Sequence, residues 1–182
     1  MKTFMRFGTG STAVTTAALV LLLSGCAAQQ PLAQVPDRLK PGRDETLSMI
    51  VPAKGVQIYE CRAKKDQSGY EWAFVAPEAD LYGPHAKPIG HHYAGPQWES
   101  DDGSRILGSV KARADAPAAN AIPWLLLSAK STGPQGAFSQ VTSVQRVNTA
   151  GGVAPAIGCT QSAAGQSARV DYTADYYFFT RK

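Results

Sequence analysis

Between Val170 and Phe178 the chain places Val170, Tyr172, Ala174, Tyr176 and Phe178 at every second position, with Asp171, Thr173 and Asp175 between them. Side chains alternate across a strand with a period of two, so this stretch buries one face and wets the other only as β-structure. A helix would turn the two aspartates into the apolar stripe. An amphipathic strand needs paired neighbours on both edges, and the remaining sequence has to supply them.

It does so without any helical periodicity. Val56-Gln57-Ile58-Tyr59-Glu60-Cys61 is short and β-branched, and Tyr70, Trp72, Phe74 and Ala76 alternate after the turn Asp66-Gln67-Ser68-Gly69, so the two segments read as a hairpin. Ile106, Gly108, Val110 and Ala112 fit a further strand. Pro123-Trp124-Leu125-Leu126-Leu127-Ser128-Ala129 is apolar on both parities and reads as a strand covered on both sides. Val141, Val144 and Val147 recur at every third residue among Thr142, Ser143 and Thr149, which suits a strand carrying a bulge. The expectation is an all-β fold of roughly six to nine strands: a single antiparallel β-sandwich or barrel-like domain with short turns and little helix.

The N-terminus is an address. Lys2 and Arg6 precede an apolar run from Ala13 to Leu23, and Leu23-Ser24-Gly25-Cys26 follows. The run is shorter than the roughly 20 residues of a membrane span and ends in small residues, as an export signal does. Leu-Ser-Gly-Cys resembles a bacterial lipobox, which implies cleavage before Cys26 and acylation of that residue. Ala27 and Ala28 follow without the Asp associated with inner-membrane retention, so the expectation is a cell-envelope lipoprotein held in the outer membrane. Residues 1–25 are then signal peptide, residues 26–54 a tether rich in Pro, Gln and Ala, and residues 55–182 the β-domain.

Of three cysteines, Cys26 is assigned to lipid, leaving Cys61 and Cys159 as an even pair in an oxidising compartment. One disulfide is the economical reading, since no Cys-x-x-Cys suggests redox chemistry. The formal charge of +4 includes Lys2 and Arg6, and the remaining charges are interspersed. No basic run with interleaved aromatics exists to follow a phosphate backbone, so nucleic acid is not an expected partner.

Gly90-His91-His92-Tyr93-Ala94-Gly95-Pro96-Gln97-Trp98-Glu99-Ser100-Asp101-Asp102-Gly103-Ser104 concentrates the candidate chemistry. His91 and His92 are adjacent and point to opposite faces of a strand, and His85 and His91 would stand about 20 Å apart on an extended chain. With no His-x-His and no His-Glu-x-x-His, no metal or cofactor is expected. Ser104, His92 and Asp102 form a triad on paper, but no Gly-x-Ser-x-Gly elbow accompanies them. Glu99 and Asp102 would be the carboxylates of a glycosidase-like reading. Gly95-Pro96 and Asp102-Gly103 are turn formers, so the preferred expectation is a loop presenting His92, Tyr93, Trp98, Glu99 and Asp102 to a small polar molecule, a sugar or a partner protein. Arg146 is a further candidate for an anionic or sugar group. The alternative is an exported hydrolase, metal-assisted or carboxylate-based, using His92, Glu99 and Asp102.

His92-Tyr93-Ala94-Gly95-Pro96-x-Trp98-Glu99, Asp102-Gly103-Ser104, Pro123-Trp124-Leu125-Leu126-Leu127, Gln145-Arg146-Val147-Asn148-Thr149-x-Gly151-Gly152-x-Ala154-Pro155, Cys159 and Tyr172-x-Ala174-Asp175-Tyr176 together resemble a family of exported proteins found in bacteria, fungi and plants, known as a domain of unknown function. The resemblance runs from about Gly55 to Phe179 and implies no established activity. Some fungal relatives carry a malate dehydrogenase label. This chain offers no Gly-x-Gly-x-x-Gly turn between strand and helix to support it.

Overall fold

Eight antiparallel strands follow one another round a ring that closes where the last pairs with the first. They are β1 (Glu45–Ala63), β2 (Tyr70–Tyr82), β3 (Pro88–Tyr93), β4 (Gln97–Ser100), β5 (Arg105–Ala114), β6 (Trp124–Ser131), β7 (Val141–Gly151) and β8 (Ser167–Arg181). The structure is a computed structural model that describes residue 1 and residues 32–65 and 68–182. Cys26, the signal segment, and Asp66 and Gln67 of the first hairpin lie outside the described residues. Closure gives every strand a neighbour on each side, and open edge remains only along parts of strands, such as the first part of β1. The all-β, barrel-like expectation holds.

Strand parity decides what lies inside. Tyr172, Ala174, Tyr176 and Phe178 of β8 join Val51 and Ala53 of β1, Leu81 of β2, Trp98 of β4, Ile106 of β5 and Leu125 and Leu127 of β6 in one buried cluster. Phe138, from the β6–β7 connection, meets Phe178 edge-on with centroids 5.0 Å apart. A second apolar cluster lies on the outer wall, where Trp124, Leu126, Val147, Tyr177 and Phe179 pack against Leu39, Ala33 and Val35. This explains why β6 is apolar on both parities: one face fills the barrel and the other is covered by the N-terminal segment. Gln145 Nε2 donates to the Leu39 carbonyl, and the Ala33 N–H donates to the Tyr177 hydroxyl at 3.1 Å.

The expected tether through Lys54 is therefore too long. Residues from Ala33 already pack on the wall, and Glu45 begins β1. Four prolines suggested an extended tail, but residues 45–52 pair with β8 alone. A proline such as Pro52 is accommodated where one side of a strand carries no ladder. The bulged reading of the valine stretch agrees with register shifts in β7 between Val141 and Ser143 and between Val147 and Ala150.

Cys61 and Cys159 are bonded, with Cα atoms 5.3 Å apart. The bridge fixes the long connection between β7 and β8 across one end of the barrel. The same connection is held by the Tyr59 hydroxyl donating to the Gly152 carbonyl at 2.6 Å, Trp72 Nε1 donating to the Ile157 carbonyl at 3.0 Å, and the Gly165 N–H donating to the Cys61 carbonyl at 2.9 Å.

Candidate functional site

The expected loop is a hairpin, and parity divides its side chains. In the β3–β4 ladder His92 faces Trp98, His91 faces Glu99 and Tyr93 faces Gln97, with the Gly95-Pro96 turn between the strands. His92 and Trp98 point into the barrel, 2% and 1% exposed. Their rings stack at 4.5 Å, and each meets Tyr176 edge-on, at 5.0 and 5.3 Å. His92 Nδ1 lies 2.7 Å from the Gln97 carbonyl oxygen, which can only accept, so Nδ1 carries the proton and donates. Burial, aided by the Arg146 charge and opposed by the Gln97 bond, lowers the His92 pKa to about 3. His92 is thus a neutral core residue, and the expectation that it stands beside Tyr93 and Glu99 on one surface is corrected.

The outward side chains form a different group. Lys54 pairs with Asp80, Asp80 with His91, His91 with Glu99, and Glu99 with Arg105, so five strands contribute one cross-strand row. His91 Nδ1 lies 3.1 Å from Asp80 Oδ1, and Arg105 Nη1 lies 3.6 Å from Glu99 Oε2. The Tyr93 hydroxyl donates to Glu99 Oε2, and that bond is the main reason the phenol's pKa is raised. Arg169 grips Glu78 with both terminal nitrogens, at 3.2 and 2.7 Å. These residues border an open groove of about 610 Å³ whose lining includes Lys54, Glu78, Asp80, His91, Tyr93 and Glu99. Gly55 allows β1 and β2 to approach closely at its floor: a Cβ there would sit 2.1 Å from the Glu78 carbonyl oxygen.

Asp102 belongs to neither group. Its Oδ1 accepts from the Ser104 hydroxyl at 2.6 Å and the Ser104 N–H at 2.8 Å, and its Oδ2 accepts from the Ala137 N–H at 2.7 Å. Those bonds, the Ser104 hydroxyl first, lower its pKa to about 2. Ser104 Oγ in turn accepts from the Phe138 N–H at 3.0 Å. The pair therefore ties the β4–β5 turn to the segment carrying Phe138. Both members of the imagined nucleophile pair are committed to backbone.

Arg146 pairs across β7–β8 with Tyr176 and across β6–β7 with Leu125, both inward residues, so it too faces the interior. Its Nε and Nη2 both donate to the Pro123 carbonyl, at 3.1 and 2.8 Å. Asn148, two residues on, donates its Nδ2 to Asp175 Oδ2 at 2.8 Å.

The structure brings Tyr93 and Glu99 together and separates them from His92, Trp98, Asp102 and Arg146. Among the described residues, no three of His, Cys, Asp and Glu are grouped as metal ligands. Sequence reasoning missed Lys54, Asp80 and Arg105. They carry no local motif, and only strand register places them beside Glu99.

The fold and groove define a small closed antiparallel barrel with a charged outer wall and an aromatic interior. The chain belongs to the family described as Protein of unknown function (DUF3455), whose model matches residues 41–87 and 83–180. No curated protein matches the chain. No solved structure matches it either.

Proposed function

We propose that this protein is a lipid-anchored envelope protein whose barrel binds a neutral, hydroxyl-rich molecule such as a saccharide in the groove of Tyr93 and Glu99. The observation that carries the reading is the parity split of the β3–β4 hairpin. It turns the His92 ring into the core, away from the outward Glu99 carboxylate, while Asp102 is bound to backbone, and it leaves Tyr93, Glu99, His91, Asp80 and Lys54 lining one open groove. Alternating charges along the groove offer donors and acceptors in turn without a net field. The Tyr93 ring adds a flat apolar surface, a combination that suits sugar hydroxyls and ring faces. On addition of the trimer of N-acetylglucosamine, backbone amide shifts should concentrate on the outward positions of β1–β4. Shifts spread evenly over the barrel, or none at millimolar sugar, would count against the groove.

The anchor rests on Leu23-Ser24-Gly25-Cys26 behind its apolar run. A charged outer row and an apolar interior, the reverse of a membrane-spanning barrel, support a hold by lipid over one by the strands themselves. The absence of Asp after Cys26 favours the outer membrane. Cys26→Ser should abolish acyl labelling and leave an unprocessed precursor. Labelling that survives the substitution would refute the anchor and leave the groove untouched.

A further inference from the structure

Arg146 is a cation turned into the barrel without an anion. Among the described residues, no carboxylate lies within 4.0 Å of its guanidinium, since the ion pairs there involve Asp37, Glu60, Asp80, Glu99 and Glu78. The acids of the strands flanking it, Asp171 and Asp175, sit on the outward parity of β8. One neutral carbonyl takes two of its donors. Placing a cation inside a fold is unfavourable unless a charge of opposite sign accompanies it.

The groups round it are donors as well. Gln57 is 2% exposed, and its Nε2 has no partner within 3.5 Å, the Tyr172 phenol being the group it faces. Tyr172, whose Cβ lies on the same side of Gly152 as the Gln57 side chain, holds its hydroxyl 3.2 Å from that of Tyr176. The indole Nε1 of Trp98, which packs against Tyr176, is also buried without a partner. Arg146 faces Tyr176 across the β7–β8 ladder, and its guanidinium reaches the Pro123 carbonyl, next in the chain to Ile122, whose side chain meets those of Gln57 and Tyr172 round Gly152. A cation, a buried amide and paired phenols that gather without an acid make a site that lacks an anion.

We infer that Arg146, Gln57, Tyr172 and Tyr176 form an internal site for a small carboxylate, distinct from the outer groove. A planar carboxylate matches the guanidinium fork and can accept from the Gln57 amide and a Tyr hydroxyl at once. The connection from Gly152 to Gln166, pinned by the disulfide and by the Tyr59 hydroxyl, covers this end of the barrel and shelters the site from bulk water. Arg146 remains partly exposed, which leaves a path for a small ion.

The test titrates the whole mature protein with sodium acetate, and separately with sodium phosphate, at constant ionic strength, following tryptophan fluorescence and the thermal midpoint. Acetate should give a saturable change and a raised midpoint. Arg146→Gln should weaken it roughly tenfold or more, the scale of one charge-assisted hydrogen bond. Gln57→Leu should weaken it as well while leaving the cation in place, which covers the case of Arg146→Gln failing to fold. Lys130→Gln, on the exposed outer wall, should titrate as wild type. The inference is overturned if acetate produces no saturable change, if phosphate alone binds, or if Gln57→Leu and a folded Arg146→Gln both titrate as wild type.

Discussion

Acidification from pH 7.5 to 5.0 is expected to lower the unfolding free energy by about 2 kcal/mol through His92 alone. Its folded pKa, about 3, lies below the ordinary value of 6.5. The unfolded chain therefore binds a proton that the folded chain refuses. Stability from this source is full above about pH 6.5 and is lost progressively as pH falls towards 3. The cause is enclosure between Trp98 and Tyr176, with the Arg146 charge nearby and no carboxylate to stabilise an imidazolium. The carboxylates with lowered pKa values, Asp102 and Glu45 among them, change least in this interval, and the His91–Asp80 contact is common to wild type and His92→Gln, so the difference between the two isolates His92. Urea unfolding at the two pH values measures the loss directly. His92→Gln should be less stable at pH 7.5 and nearly flat across the interval. A wild type equally stable at both values would contradict the enclosed, neutral histidine.

Removing the bridge between Cys61 and Cys159 should cost more. It closes a separation of 98 residues, for which loop entropy gives about 4 to 5 kcal/mol, with native bridges falling in a measured range of roughly 2 to 5. For a domain of this size that corresponds to a fall in thermal midpoint on the order of 10 °C. Cys61→Ala with Cys159→Ala is the appropriate variant, because Cys61 is fully buried and a serine there would add an unpaired hydroxyl. Intact mass after alkylation should show both thiols protected until reduction. Two freely alkylated thiols in the unreduced native protein would contradict the bridge. The loss should also loosen the connection over Arg146, since Cys159 anchors its middle.

Much of the fold was legible because strand parity is a local property. Tyr172, Ala174, Tyr176 and Phe178 do face the core, Leu125 and Leu127 join them, and His91 and His92 do point to opposite sides of one strand. The cysteine pair followed from compartment and count. Residues 45–54 were misread as tether because proline masks a strand that pairs on one side only as far as Pro52, and a ladder between segments so far apart in sequence leaves no local trace. The candidate site was half legible. Gly-Pro and Asp-Gly correctly marked turns, but treating residues 91–102 as one loop ignored the parity that sends His92 and Trp98 inward. His92→Ala, expected from a surface loop to leave stability nearly unchanged, should instead cost roughly 2 to 5 kcal/mol as a truncated core aromatic. The row from Lys54 to Arg105 spans five strands, and no reading of one strand at a time assembles it.

The central claim is that Tyr93 and Glu99 serve binding while their hairpin neighbours His92 and Trp98 serve the core. Native mass spectrometry of the protein as isolated from cells in mild detergent, wild type beside the double variant Tyr93→Phe and Glu99→Gln, tests it most directly when thermal midpoints are recorded on the same samples. Wild type should carry an added small-molecule mass that the double variant loses, with the two midpoints within a degree or two of each other. A double variant that keeps the same added mass, or that loses it only because its midpoint has collapsed, would contradict the account.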